Sequence, residues 1–325
     1  MPPKRRRLSE TTDPKDGGGP KASSARPHDD IWYSDGSVVL ATDTHLYRVH
    51  KSMLAKHSKV LKDLFEIPTA GVEADRWEDV PLVRMAGDSD EEVCVLLKAL
   101  YGMNLKDVLR TMALSKATAL LSISSKYDFN EIRRDVIAHL ASLFPSTFEK
   151  YKASDYHTQT PCAESLFNLI VVAHRCEVQI ILPVLYYLCA TFPLVTTVHM
   201  LPTLPTDFMK NFLLGRDWLC GVSQRIVQYS SPAVRIMDRF RVCRVARCVD
   251  KFRDALSELL KEYTWHILFV FDFPENGILN GVDPELHGIC GGCATHYRNM
   301  LDSIKEDAWN QLPFKFLGKK WEELK

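Results

Sequence analysis

The residues with the clearest potential for chemistry lie near the C-terminus, where two histidines flank two cysteines. His287, Cys290, Cys293 and His296 follow one another at intervals of three residues, and Gly291-Gly292 separates the cysteines. Thiolate and imidazole are the ligands that zinc prefers, and the glycines allow a tight turn that points both sulfur atoms at one ion. Cys290, Cys293 and His296 are therefore the candidate ligands of a zinc ion. The favoured interpretation is instead a pair of reduced, partly buried thiols beside a glycine turn, so that no cofactor is expected and the stability of the chain does not depend on metal.

A further ligand for such an ion would come from elsewhere in the chain. Cys243 and Cys248 are five residues apart, which places them roughly 140° apart on a continuous helix and makes them a poor joint chelate. One of the two can still contribute a ligand. Nothing near Cys290 in the sequence supplies an obvious general base, so we expect a binding role for the ion rather than a catalytic one.

The sequence lacks the common catalytic patterns. It contains no phosphate-binding loop and no G-x-S-x-G, H-E-x-x-H or EF-hand pattern. His50 and His57 lie near Ser52 and Ser58 in the sequence, but a catalytic triad requires three groups that converge in space. We therefore expect a protein without catalytic activity.

Length, charge and composition are typical of a soluble chain with two domains and a tail. The chain has 325 residues, a net charge of +0, 46% hydrophobic residues and 25% charged residues. A neutral chain generates no overall field that attracts nucleic acid or an anionic membrane. One predicted helix is rich in arginine, but a solvated basic face or a site for an acidic partner is the better interpretation, so no nucleic-acid partner is expected. Its arginines are Arg235, Arg239, Arg241, Arg244 and Arg247.

The N-terminus and the cysteines predict the cellular environment. The first residues contain no apolar segment typical of a secretory signal, so the nine cysteines are expected to be reduced thiols in the nucleus or the cytoplasm. Lys4-Arg5-Arg6-Arg7 fits a nuclear import signal, with a solvated tail of no special role as the alternative.

The uncharged stretch from Val178 to Val198 is divided by Pro183 and Pro193, so a buried helix is predicted there rather than a membrane span.

The elements that position these residues follow from hydrophobic periodicity. Ile31-Trp32-Tyr33 and the segment Ser37 to Ala41, joined by Asp35-Gly36, predict a hairpin in which the glycine takes a positive φ. Strands are also predicted at His45 to Val49 and at residues 82–85.

From Lys51 onward the apolar spacing becomes helical. Pro145 is expected to end one helix, and almost the whole second half of the chain is predicted as helix. One apolar run, Trp265 to Phe273, is a candidate strand. The helices predicted in this half cover 163–174, 180–192, 206–229, 231–263 and 296–310.

Three segments carry a specific family pattern. Leu46 to Ser58 reads LYRVHKSMLAKHS, residues 96–101 read LLKALY, and residues 121–127 read LSISSKY. These segments resemble the BTB/POZ domain, whose members share a strand, aromatic, His-Lys, Leu-Ala and Ser sequence and two such helices. We call the positions that carry the resemblance the signature residues: Val49, His50, Lys51, Leu54, Ser58, Tyr101 and Tyr127.

The resemblance continues outside the domain. Asp30-Ile31-Trp32, Leu143 to Thr147 and the stretch from Trp309 to Trp321 are similar to a BTB group abundant in mushroom-forming fungi, in which an all-helical region follows the BTB domain. The resemblance therefore implies an α+β fold. We expect a disordered basic tail over 1–28, a BTB/POZ domain with a small sheet flanked by helices over 29–150, and a mainly α-helical domain over 160–325.

What the resemblance implies for function is protein–protein interaction. BTB domains commonly dimerise or bind other proteins, so we expect protein partners, a homo-oligomer and no membrane. Many members are adaptors of cullin-type ubiquitin ligases, and Trp77-Glu78-Asp79 fits the hydrophobic-x-acid tripeptide that such adaptors often carry after their second helix. The alternative is a nuclear regulator or scaffold that uses the BTB domain only to oligomerise.

Overall fold

The computed structural model describes residues 25–67, 75–102, 104–154, 162–229 and 290–324, together with residues 248, 250, 251, 254, 270 and 271. These residues belong to two compact units. The sheet unit comprises the described residues within 1–50 and 69–90, and the helical unit comprises those within 51–68 and 91–325. The described residues form a five-stranded sheet and twelve α-helices, so the predicted α+β class is confirmed. The domain limits at residues 28, 150 and 160 stay a prediction.

The sheet unit is built from short strands: β1 (Arg26–Trp32), β2 (Val38–Ala41), β3 (His45–Val49), β4 (Arg76–Trp77) and β5 (Val80–Arg84). Their spatial order is β1-β3-β2-β5-β4. The pair β2–β3 is antiparallel, with Val38 opposite Val49, whereas β1 runs parallel to β3 and β5 runs parallel to β2. All four residues of β2 are buried, as expected for a strand with neighbours on both sides.

The predicted hairpin between residues 31–33 and 37–41 is wrong, although both strands and the turn exist. β1 pairs with β3, and Trp32 lies opposite Arg48. Gly36 does not have a positive φ. A glycine is needed there because a Cβ would come within 2.8 Å of Arg48 Cγ and 2.9 Å of the Tyr33 carbonyl oxygen. Glycine is therefore required at position 36 because β3 passes close to the turn, and not because the backbone there is left-handed.

Strand β1 also includes Arg26 to His28, which were predicted to belong to the disordered tail. Arg26 lies opposite His45 and Pro27 opposite Leu46, and the His28 ring stacks on Tyr47 at a centroid distance of 5.0 Å. These contacts offset the entropy cost of ordering the segment, which composition alone does not reveal. The import-like residues Lys4-Arg5-Arg6-Arg7 lie outside the described residues.

The helices begin directly after β3 with α1 (Lys51–His57) and α2 (Lys59–Glu66), in the stretch whose apolar spacing predicted helix. Ser58 separates them by acting as the N-cap of α2. The helix predicted to end before Pro145 does so, at Leu143. The remaining helices are α3 (Asp90–Tyr101), α4 (Leu105–Thr111), α5 (Leu114–Lys126), α6 (Asn130–Leu143), α7 (Phe148–Ala153), α8 (Ala163–Arg175), α9 (Leu182–Ala190), α10 (Leu194–Met200), α11 (Thr206–Tyr229) and α12 (Gly291–Leu317).

Helix α9 lies at the centre of the helical unit. All its residues except Leu188 are buried, and it packs against α8, α11 and α12. Tyr186 stacks on Phe316 of α12 at 5.2 Å, and a Cβ at Gly215 of α11 would lie only 2.2 Å from the Phe316 ring. The first part of the uncharged stretch is thus the buried helix that was predicted. Across the described ranges, no helix combines the length and the apolar character needed to cross a membrane.

Helix α12 is longer than predicted. It starts at Gly291, five residues before the predicted start, and continues through Pro313 to Leu317, where Gly318 ends it with φ 68°. Proline inside a helix removes one backbone hydrogen bond and costs about 3 kcal/mol. The complete burial of Leu312 and the near-complete burial of Phe316 offset that cost. Most of the helix and strand predicted over 231–273 lies outside the described residues, and within that strand Val270 and Phe271 form a bend.

Candidate metal centre and the signature residues

Three cysteine thiols converge in the helical unit. The Sγ atoms of Cys248, Cys290 and Cys293 all lie within 4.8 Å of one another. Cys290 is the N-cap of α12 and Cys293 is the third residue of that helix. Cys248 lies 42 positions before Cys290 and is itself helical. Its Sγ accepts a hydrogen bond from the Cys290 N–H at 3.3 Å. The predicted cysteine pair is therefore joined by one of the two further cysteines that the sequence offered. We call these three residues the thiol cluster.

The thiol cluster is closed on one side and accessible on the other. The exposed fractions of Cys248 and Cys293 are 2% and 4%, whereas Cys290 is half-buried. Gly291 and Gly292 are exposed, and apart from their chain neighbours and the backbone of their own helix, no described atom lies within 4 Å of the place where a Cβ would stand on either of them. Solvent therefore reaches the cluster at Cys290.

The histidines of the pattern are only partly described. The backbone of His296 belongs to α12, one turn after Cys293, so the two positions share a helix face. The His296 side chain lies outside the described residues, as do His287 and Cys243 entirely. The structure thus brings together Cys290 and Cys293 of the predicted ligands and adds Cys248.

Ser58 joins two of the signature segments. Its side chain is almost completely buried, at 1% exposure. The Oγ atom accepts a hydrogen bond from the Leu61 N–H at 3.0 Å, which caps α2, and donates one to the Tyr127 carbonyl oxygen at 2.6 Å. Ser58 and Tyr127 are 69 residues apart in the sequence. A single hydroxyl group therefore uses its proton and its lone pair to connect the start of α2 to the end of α5.

The other signature residues divide into core and surface positions. Val49 and Leu54 are completely buried, and Tyr101 and Tyr127 are half-buried. Lys51 places its ammonium group 5.6 Å from the centroid of the Phe65 ring, a cation–π geometry. The segment that resembles the family pattern thus contributes both to packing and to the surface.

The histidines near the serines are paired with carboxylates. His50 Nε2 lies 3.2 Å from Asp35 Oδ1, and His57 Nδ1 lies 3.5 Å from Glu131 Oε2. Ser58 donates its proton to a backbone carbonyl and not to a histidine. The sequence neighbours Ser58 and His57 are consequently not arranged as a nucleophile and its base.

A polar cluster in the sheet unit was not predicted. The Asp90 carboxylate accepts hydrogen bonds from Thr42 Oγ1 at 2.6 Å and from the Tyr47 hydroxyl at 2.9 Å, and it lies 2.8 Å from His45 Nδ1. Burial by itself would raise the pKa of Asp90, but these three hydrogen bonds outweigh it and lower the pKa. Asp90 is more than 40 residues from its partners, so no local spacing in the sequence marks the cluster.

In the tripeptide Trp77-Glu78-Asp79, Trp77 is the last residue of β4, and Glu78 and Asp79 form the turn to β5. Trp77 packs against a buried cluster made of Ala25, Val39, Ala41 and Leu46. Glu78, which has φ 52°, and Asp79 are exposed. The two acidic positions are therefore presented to solvent on a short turn that the tryptophan anchors.

Comparison of the chain with protein-family models, with curated proteins and with solved structures finds no match.

Proposed function

We propose that this chain is a non-enzymatic protein-interaction protein of the BTB/POZ type that associates with itself. The observation that carries the proposal is the bond between Ser58 and the Tyr127 carbonyl, because it links two sequence segments that resemble the family and lie 69 residues apart. A hydrogen bond between them is expected if both segments belong to one structural element of the family kind. The burial of Val49 and Leu54 supports the same assignment.

Helix α2 carries a surface suited to self-association. Val60 and Leu64 lie one turn apart on one face of α2, and Ile67 follows the helix as its C-cap. Their exposed fractions are 39%, 40% and 62%. Exposed apolar residues grouped on a surface are typical of an interaction site, and a two-fold interface uses the same patch from both subunits.

Light scattering on the purified full chain tests self-association. We expect a mass of at least a dimer, and the double change Val60→Glu with Leu64→Glu is expected to shift it to the monomer because charges would be buried at the interface. Val195→Glu on α10 is the matched control, since Val195 is also an exposed apolar helix residue, at 67%. A wild-type chain that stays monomeric at high micromolar concentration would remove self-association.

The specific version of the proposal is an adaptor for a cullin-type ubiquitin ligase. The exposed acids on the β4–β5 turn support it, because Asp79 has the position and charge that the tripeptide pattern requires. Affinity capture with the full chain from cell extract is expected to recover a cullin, and Asp79→Lys is expected to reduce that recovery several-fold. Recovery that is unchanged in Asp79→Lys would dismiss the tripeptide, and recovery of chromatin proteins without a cullin would favour the alternative, a nuclear regulator or scaffold.

The placement in the nucleus or the cytoplasm rests on the basic run at the N-terminus. Replacing Lys4, Arg5, Arg6 and Arg7 by alanine is expected to move a fluorescently tagged chain out of the nucleus, because import receptors bind such runs through acidic grooves. Fluorescence microscopy measures the ratio of nuclear to cytoplasmic signal. An unchanged ratio would contradict the import proposal.

The thiol cluster favours a second property, the binding of one zinc ion in a structural role. Sulfur atoms around a tetrahedral zinc ion, with bonds of about 2.3 Å, lie about 3.8 Å apart. The three sulfur atoms are already within 4.8 Å of one another, so a contraction of about 1 Å is sufficient to form the site. Thiolates select zinc over the oxygen-preferring magnesium and calcium ions.

The ligand set proposed for the ion is Cys248, Cys290 and Cys293, with His296 as the fourth. Four protein ligands close the coordination sphere, which is typical of structural zinc, whereas a catalytic zinc keeps one position for water. The sequence spacing supports His296, because it follows Cys293 by one helical turn. The N-terminal end of α12 also favours the negative charge of the thiolates.

Metal analysis of the purified full chain tests the zinc proposal. About one zinc ion per chain is expected, and cobalt substitution is expected to give the intense near-ultraviolet absorption of thiolate ligation. Cys248→Ser and Cys293→Ser are expected to abolish stoichiometric binding, and His296→Ala to weaken it. Cys162→Ser is the matched control, because Cys162 is also an N-cap cysteine, on α8. A wild-type chain that takes up no zinc after reduction and incubation with the ion would overturn the proposal.

A further inference from the structure

We propose that Cys290 and Cys293 form a reversible disulfide, so that the thiol cluster is also a site of oxidative modification. The inference rests on the proposed zinc site for its consequence, the release of the ion. The disulfide itself requires only the geometry of the two thiols. It would make the C-terminal helix of the chain responsive to peroxide.

The difference in exposure within the cluster selects the sulfur that reacts first. Cys290 is half-buried, and the two residues that follow it are exposed glycines with open space around them. Cys248 and Cys293 are nearly inaccessible, at 2% and 4% exposure. Because oxidation follows the access of the oxidant to the sulfur, Cys290 is the residue that a small peroxide reaches.

The position of Cys293 makes it the second partner. Its Sγ lies within 4.8 Å of Cys290 Sγ, and Cys290 is the N-cap of α12 whereas Cys293 lies in its first turn. A disulfide requires an S–S bond of about 2 Å, so the sulfur atoms must approach by less than 3 Å. The glycines between them bear no side chain that would resist the movement, and the loop that closes is far shorter than one to Cys248.

The chemistry balances with hydrogen peroxide as the oxidant. The Cys290 thiolate attacks the O–O bond, forms an S–O bond and releases hydroxide, which gives a sulfenic acid. The Cys293 thiolate then attacks the Cys290 sulfur, forms the S–S bond and expels a second hydroxide. Two protons from solvent convert both hydroxides to water. Two electrons have passed from the two sulfur atoms to the peroxide, and a zinc ion at the cluster loses two of its ligands.

Peroxide treatment of the reduced, zinc-loaded full chain tests the proposal, with the zinc content measured before the oxidant is added. Peptide mapping by mass spectrometry is expected to show a Cys290–Cys293 disulfide, lighter by two hydrogen atoms. A chromogenic chelator is expected to detect the release of about one zinc ion per chain, and dithiothreitol with added zinc is expected to restore the starting state.

Variants separate this mechanism from general oxidation. Cys293→Ser is expected to leave Cys290 as a sulfenic acid that dimedone traps. Cys162→Ser is the control and is expected to form the disulfide as the wild type does, although Cys162 is exposed and its hydrogen bond with Ser165 lowers the pKa of its thiol. If the chain holds no zinc before peroxide is added but still forms the disulfide, the zinc site is contradicted and the disulfide proposal stands. A Cys248 disulfide, or no disulfide at all, would overturn the proposal made here.

Discussion

Two regions of the helical unit join distant parts of the chain, and they do so with different atoms. At Ser58, an oxygen atom accepts one hydrogen bond at 3.0 Å and its proton is donated at 2.6 Å. At the thiol cluster, a sulfur atom accepts a backbone N–H at 3.3 Å. Oxygen is a strong donor and acceptor, whereas the thiol is weak in both roles. The region around Ser58 is therefore satisfied by protein atoms alone.

The two regions differ in the interactions that stabilise them. Ser58 exchanges strong bonds to water for strong bonds within the protein, and its neighbour Leu61 is completely buried. Three converging thiols gain less from one another, although they pack well as small apolar groups. A bound ion would add stabilising energy there, because metal-binding energy is also folding energy. The first region should thus be sensitive to substitution, and the second to the removal of metal.

The largest effect is expected from metal removal. A strong chelator should lower the free energy of unfolding of the zinc-loaded chain by about 3 kcal/mol, which corresponds to zinc at roughly 160 times its dissociation constant. Thermal melts with and without the chelator measure this. The variant Cys248→Ser with Cys293→Ser should melt at one temperature under both conditions. If the wild type also melts identically in both, the two regions do not differ in the way proposed.

The next effect concerns the oxygen side of the comparison. Ser58→Ala removes the cap of α2 and the donor to the Tyr127 carbonyl, which together should cost about 2 kcal/mol. Ser142→Ala is the control, since Ser142 is exposed and its hydroxyl donates a hydrogen bond to the His139 carbonyl of its own helix. Urea unfolding should show a change within about 0.5 kcal/mol for the control. A Ser58→Ala chain as stable as the wild type would show that this bond does not hold the segments together.

These two regions also show which features of the fold and the site could be predicted from the sequence. The helical character of the described part of the second half, the limits of α8 to within one residue, and the cysteine pair were predicted because periodicity and spacing are local properties of the chain. The partner of each region could not be predicted in the same way. Nothing near Ser58 in the sequence indicates the Tyr127 carbonyl, and nothing near Cys290 distinguishes Cys248 from Cys243. Which distant residue lies next to each of them depends on the path of the folded backbone.

The errors have the same physical origin. The hairpin at residues 31–41 was wrong because the neighbour of β1 is chosen by tertiary pairing with β3, which the turn residues do not encode. Helix α12 passes Pro313 because the burial of Leu312 and Phe316 outweighs a local preference. The Asp90 cluster was missed because its members are far apart in the sequence.

A smaller effect is expected from pH, and it must be separated from metal loss. His174 stacks on Phe208 at 3.7 Å and shares a hydrogen bond of 2.9 Å with the Tyr186 hydroxyl. Burial lowers the pKa of His174 from 6.5 to about 4. The unfolded chain therefore binds the proton first, so stability is fully present above pH 6.5 and is lost as the pH falls towards 4. Partial solvent screening limits the loss to about 1–2 kcal/mol.

The pH effect is measured by urea unfolding of the metal-free chain at several pH values. His174→Gln, which can still hydrogen-bond to Tyr186, should flatten the dependence in this window. Any acid sensitivity that appears only in the zinc-loaded chain then belongs to the thiol cluster, because protonation of thiolates releases zinc. A metal-free wild type with no pH dependence between 6.5 and 4 would contradict the burial of His174 as the cause.

The smallest effect is expected at Lys126, which lies next to the carbonyl that Ser58 binds. Its ammonium group lies 5.1 Å from the centroid of the Tyr127 ring, and the side chain is exposed. An exposed cation–π contact contributes about 0.5 kcal/mol, so Lys126→Ala should change the free energy of unfolding by about that amount. Lys116→Ala, an exposed lysine on the same helix, is the control for lost helix surface. A cost above about 2 kcal/mol at Lys126 would mean that the Ser58 region depends on a surface charge as well as on its buried oxygen. A cost near zero together with weaker self-association would instead assign Lys126 to the interaction surface.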